Sequence, residues 1–144
     1  MWRSLVKRLD QTAQFTAPAS AFQISQAETA LNIRFPDELK ECLGESNGIL
    51  GQYGLNLIWS VKTIITTNLD FRTDKEFKQL YMPFEALLFF ADAGNGDLFA
   101  FPIQAGQIRR PDIFVWNHED DSRAWVAPDL ERYLRWWLEG KITV

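Results

Sequence analysis

Residues 85 to 101 constrain the fold of this chain more than any other stretch. They read Glu85-Ala-Leu-Leu-Phe-Phe-Ala-Asp-Ala-Gly-Asn-Gly-Asp-Leu-Phe-Ala-Phe101, two apolar runs around a polar knot. Apolar runs of this length bounded by turn residues predict strands buried on both faces. Gly94, Asn95 and Gly96 supply the positive-φ conformations that a reversal demands. The expectation is a central hairpin, Leu87–Ala91 against Leu98–Phe101, with two carboxylates and an amide at its tip.

Other elements fall around it. Trp2, Leu5, Val6 and Leu9 form one stripe of a short N-terminal helix. Gln11 to Phe22 reads as loop. Ser25 and Glu28 have capping-box spacing and predict a short helix through Ala27, Ala30 and Leu31. Pro36, Asp37 and Glu38 open the next helix, with Leu39, Cys42 and Leu43 inside and Asn47-Gly48 as its stop. Leu57–Trp59 is read as a strand, and Val61, Ile64 and Ile65 as a helical turn. Residues 68 to 80 are polar and read as loop with a turn or two of helix. Ile113–Trp116 and Arg123–Val126 add strands. Pro128 starts a last helix on the stripe Leu130, Tyr133, Leu134, Trp137 and Leu138, with Trp136 turned partly outward.

Helices first, antiparallel strands in the middle and a closing helix define an α+β fold. It is expected to be a single domain over residues 1–144, with a mostly antiparallel central sheet of about four to six strands flanked by N-terminal helices and a C-terminal helix. A parallel βαβ architecture is incompatible with the central hairpin.

Composition narrows function. A net charge of −4 and a pI near 5.0 disfavour nucleic-acid binding, which needs a basic face. No run approaches the ~20 apolar residues of a membrane span. The N-terminus lacks the apolar core of a signal peptide, and a cytoplasmic location is expected. One cysteine, Cys42, excludes an internal disulfide and sits on a buried helical stripe. Six Trp and eleven Phe exceed what a small core needs, so some aromatics are expected at the surface as contact residues. Trp2, Trp59, Trp116 and Trp125 are assigned to the core.

No catalytic constellation stands out. His118, the one histidine, has no nucleophile elbow near it, and Cys42 lies on a buried face. His118, Glu119, Asp120 and Asp121 are consecutive and cannot converge on one ion. Asp92, Asn95 and Asp97 lack the twelve-residue pattern of a calcium loop. Gly94-Asn-Gly96 is followed by a strand instead of a helix N-terminus, and its flanking carboxylates repel phosphate. No metal and no cofactor are expected. Two readings of the acidic turns remain, solvated carboxylates chosen for turn geometry or a surface that steers a basic partner.

The order of the motifs carries a resemblance. Phe35-Pro-Asp-Glu-Leu-Lys-Glu-Cys-Leu43 with Ser46-Asn-Gly48 comes first, and Leu57–Trp59 leading into Val61–Ile65 second. Leu88-Phe-Phe-Ala-Asp-Ala-Gly-Asn-Gly-Asp97 is third, and Val115-Trp-Asn-His-Glu119 before the closing helix is fourth. In this order they resemble the SUKH superfamily, the Smi/Knr-type domain, over most of the chain. Phe35-Pro36 and Asn47-Gly-Ile49 stand where the family often has Leu-Pro and Asn-Gly-Gly. The resemblance implies an α+β domain without enzymatic activity. Many bacterial members are immunity proteins that bind and neutralise secreted toxin domains, often nucleases, while a eukaryotic branch acts in cell-wall regulation through protein contacts. The expected partner is therefore a cognate toxin domain, with a regulatory or scaffold module as the alternative, and the chain is expected to be a monomer or homodimer. Candidate contacts are Glu119, Asp120, Asp121, Asp92, Asn95, Asp97 and Trp136.

Overall fold

The hairpin is present and central. In a computed structural model describing all 144 residues, β4 (Leu87–Asp92) pairs antiparallel with β5 (Leu98–Pro102). Leu88 faces Phe101 and Phe89 faces Ala100, after which the register jumps to Ala91 opposite Phe99. Phe90 is the extra residue of a bulge. β6 (Ile113–Trp116) and β7 (Arg123–Ala127) complete a four-stranded sheet in the order β4-β5-β6-β7.

A second antiparallel sheet, of three strands, lies beside it. It comprises β1 (Gln14–Phe15), β2 (Ile49–Leu50) and β3 (Asn56–Ile58), in that order. The two-residue strands β1 and β2 carry no periodicity that a sequence reading could detect. The Trp59 N–H donates to the Phe90 carbonyl at 2.8 Å, joining the sheets at β3 and β4.

Helices cover both faces of the larger sheet, which is why β4, β5 and β6 are largely apolar and buried. On one side lie α4 (Val61–Thr73) and α5 (Lys75–Leu80). Phe71 of α4 makes edge contacts with Phe77, Phe84, Phe89 and Trp116 at centroid distances of 5.1 to 5.5 Å. On the other side lies α6 (Leu130–Leu138), with Tyr133 4.8 Å from Phe99 and 5.3 Å from Phe90. Edge-on rings at these separations add electrostatic attraction to a large burial of apolar area. The buried Tyr133 hydroxyl is satisfied by the Leu57 carbonyl at 3.0 Å. α1 (Trp2–Leu9) and α3 (Asp37–Glu45) pack with α6, and α2 (Ala21–Leu31) packs with α4.

Three local expectations are corrected. The α2 capping box is Ser20 with Gln23, not Ser25 with Glu28. Gln23 N–H donates to Ser20 Oγ at 3.1 Å, and Ser20 N–H donates to Gln23 Oε1 at 2.8 Å. Glu28 instead accepts the Phe35 N–H at 2.7 Å. Residues 68 to 80 are helical almost throughout; the polar Asn68 and Arg72 among the inward positions of α4 disguise its period. Asn68 is 1% exposed. It bridges Ile64 O at 2.7 Å and Phe89 O at 2.9 Å through Nδ2, and accepts the Phe89 N–H at 2.9 Å. Arg72 donates to Leu87 O at 3.1 Å. Together these side chains satisfy the edge of β4 that β5 leaves open.

The third correction concerns Trp125, assigned to the core but half exposed. β7 is an edge strand, and the Trp125 ring lies edge-on to Trp136 of α6, at 6.3 Å. Cys42 is fully buried, and loss of solvent pushes its thiol up to about 12, with the Glu45 and Glu38 charges adding to the effect.

Candidate recognition surface at one end of the sheet

Strand direction decides which loops meet. Asn56 lies beside Asp92 and Trp59 beside Phe90, so β3 runs antiparallel to β4. The turn before β3 and the turn after β4 therefore share one end of the sheet. β4 and β6 run the same way with β5 between them, which brings the turn after β6 to that end as well. Residues 51–55, 93–97 and 117–122 thus form one composite surface.

The carboxylates hold these loops in place. Asp92 Oδ2 accepts the Trp59 indole N–H at 3.0 Å and the Asn56 amide at 3.1 Å. Asp97 is 3% exposed, and its Oδ1 accepts the His118 backbone N–H at 3.1 Å. His118 Nδ1 lies 2.6 Å from the same oxygen. A carboxylate can only accept, so that ring nitrogen carries the proton. Gly96, at φ +101°, is pressed against the imidazole: a Cβ there would stand 3.0 Å from the ring. Asp121 Oδ1 accepts the Trp116 indole N–H at 2.7 Å, and Oδ2 accepts the Met82 N–H at 2.9 Å. Arg123 closes this corner, reaching Asp121 Oδ1 at 3.2 Å and Met82 O at 2.9 Å. Two tryptophans and one histidine thus fix three turn carboxylates, and an unpaired polar group in so apolar a setting would be costly.

The remaining predicted residues face outward. Asn95, Glu119 and Asp120 are exposed. Their turns are built by short side-chain caps: Asn95 Oδ1 to Asp97 N–H at 2.9 Å, Asn117 Oδ1 to Glu119 N–H at 2.8 Å, and Asp120 Oδ1 to Ser122 N–H at 2.9 Å. The Ser122 N–H and hydroxyl hold the Asp120 carboxyl below its usual pKa. Trp136 stands apart from the three loops, in a separate patch with Trp125 on the β7 edge.

One prominent residue was missed. Tyr53 is 97% exposed and adopts a left-handed conformation, φ 60° and ψ 23°, uncommon for a residue with a Cβ. Its turn is pinned by Gly51 N–H to Leu55 O at 2.7 Å and by Gln52 N–H to Asp10 Oδ2 at 3.0 Å. Burial works against the Asp10 carboxylate, but the Thr12 hydroxyl and N–H and the Gln52 N–H outweigh it and hold its pKa down. The available signal was an aromatic inside Gly51-Gln-Tyr-Gly54, where a turn has no core to offer it. Between this turn and the hairpin tip lies an open cleft of about 710 Å³.

The surface combines an exposed aromatic, an amide and two outward-facing carboxylates on turns fixed from beneath. No group of three or more His, Cys, Asp or Glu side chains gathers in metal-ligating range, and no hydroxyl or thiol hydrogen-bonds to His118. No helix is long and apolar enough to cross a membrane. Among curated proteins none matches the chain. The SUKH_6 profile, described as SMI1-KNR4 cell-wall, matches residues 22–134, a span running from α2 through most of α6 and containing all three loops. The chain belongs to the SUKH superfamily.

Proposed function

We propose that this chain is a cytoplasmic, non-catalytic immunity protein that binds a cognate secreted toxin domain through the loop end of its sheet and neutralises it. The observation that carries the reading is the placement of Tyr53, Asn95, Glu119 and Asp120 on one exposed surface within the family's matched span. An acidic surface speeds encounter with a basic partner, and an exposed aromatic on a pinned turn supplies the short-range anchor. Asp92, Asp97 and Asp121 act from below by holding the loops.

The test is co-expression with the toxin domain encoded beside this gene. Growth arrest should be relieved by the wild-type chain, and relief should weaken in a Glu119→Lys, Asp120→Lys variant. Failure of the wild-type chain to relieve the arrest would sink the proposal. The cell-wall description of the matching family favours a second reading, a regulatory binding module using the same surface. Stable association with a non-toxic host protein, and none with the neighbouring toxin, would select it.

A further inference from the structure

The cleft between the Tyr53 turn and the hairpin tip has a chemistry more specific than that of an acidic surface. Both hydrogen bonds to Asp92 fall on Oδ2, so Oδ1 has no donor within the protein. Asp92 lines the cleft, no Lys or Arg does, and Asp92 is absent from every ion pair of the molecule. The backbone carbonyls of Gly94 and Asn95 at the tip also accept no hydrogen bond. The cleft therefore offers several acceptors around one carboxylate oxygen and no matching donor charge.

Its other wall is the Tyr53 turn. A left-handed non-glycine residue costs about 1–2 kcal/mol, and persists only where its surroundings impose it. Here the imposed conformation leaves the ring almost wholly in water at the mouth of a cleft, a poor place for an aromatic that serves only the fold. A flat ring beside a lone carboxylate suits a group that is cationic, planar and rich in donors. Guanidinium meets all three requirements, because it stacks on aromatic faces and presents five N–H groups in a rigid fork. An ammonium has the charge without the plane.

We propose that this cleft receives an arginine side chain of the partner protein, stacked on Tyr53 and donating to Asp92 Oδ1 and the carbonyls of the hairpin tip. This rests on the reading of the loop end as a partner-binding face. It goes further in naming the chemical group that is read.

The proposal can be tested without the partner. Nα-acetyl-arginine methylamide is titrated into isotope-labelled protein and followed by amide resonances, with the uncharged citrulline analogue and the lysine analogue as controls at matched ionic strength. The arginine compound should shift the resonances of Tyr53, Gly94 and Asn95, the citrulline compound should not, and the lysine compound should bind at least about threefold more weakly. Tyr53→Ala, which removes a fully exposed ring, should weaken arginine binding about three- to fivefold while leaving core resonances in place. Asp92→Asn retains an oxygen acceptor for the Trp59 indole and should abolish the preference for arginine over citrulline. Equal shifts from arginine and citrulline, shifts confined to Glu119 and Asp120, or undiminished binding by Tyr53→Ala would each overturn the proposal. Such a failure leaves complex formation with a toxin to be decided by co-expression, so the two readings fall separately.

Discussion

Asn68 gives the sharpest test of how the central strand is held. Replacing it with Leu, which has the same number of side-chain heavy atoms, removes the amide and sets two methyl groups where its oxygen and nitrogen stood. The Phe89 N–H at 2.9 Å and the Phe89 carbonyl at 2.9 Å then lose their partner at a site 1% exposed. Each buried backbone group left unpaired costs about 1–3 kcal/mol. Burial of the Leu side chain returns about 1.5 kcal/mol or more. Ile64 O loses only a secondary donor, because it also accepts within the helix. The net loss is about 2.5 kcal/mol, or a fall in Tm of about 8 °C at this chain length. Urea unfolding of wild type and Asn68→Leu, fitted with a common slope, measures it. A loss below about 1 kcal/mol would refute the reasoning, since Phe89 would then satisfy its groups without α4.

Two further perturbations probe other parts of the structure. Burial first, and then the Asp129 and Glu131 charges, raise the Glu38 carboxyl above its ordinary value. The folded state therefore holds that proton more tightly than the unfolded state, and the stability it contributes is lost as pH rises through the folded pKa. Glu38→Gln should gain stability relative to wild type between pH 4 and pH 7 in paired thermal melts, and a constant difference would contradict this. Gly96→Ala combines a φ of +101° with a Cβ placed 3.0 Å from the His118 ring, whereas Gly54→Ala, at φ +73°, meets nothing within 4 Å. Calorimetry should show a loss of about 1 kcal/mol for Gly54→Ala and clearly more for Gly96→Ala. Equal losses would mean that His118 moves aside freely.

The legible parts of the fold were those whose signal is local. The hairpin declared itself through apolar runs and glycines adjacent in sequence, and α6 through its apolar stripe, although the helix starts at Leu130 with Asp129 as its cap and not at Pro128. The second half of α4 was hidden because Asn68 and Arg72 occupy the face where apolar residues normally mark a helix. The carboxylates were legible as turn residues, but their partners were not. Trp59 meets Asp92 across the junction of two sheets, and His118 meets Asp97 across neighbouring turns. Only the register brings those pairs together. Tyr53 escaped because a lone aromatic in a glycine-rich turn has no period to read. The acidic turns were sensed as a surface, and the structure separates carboxylates that build it from those that face the solvent.

The central claim is that the loop end of the sheet is the binding face. The most direct measurement is the association and dissociation kinetics of the neighbouring gene's toxin domain with four chains: wild type, Tyr53→Ala, the Glu119→Lys, Asp120→Lys variant, and Trp136→Ala. The wild-type chain should form a stable complex. The charge reversal should slow association and flatten its salt dependence, Tyr53→Ala should speed dissociation, and Trp136→Ala should change neither. Loss of the complex on Trp136→Ala with both loop variants unaffected would move recognition to the β7 edge and contradict the account.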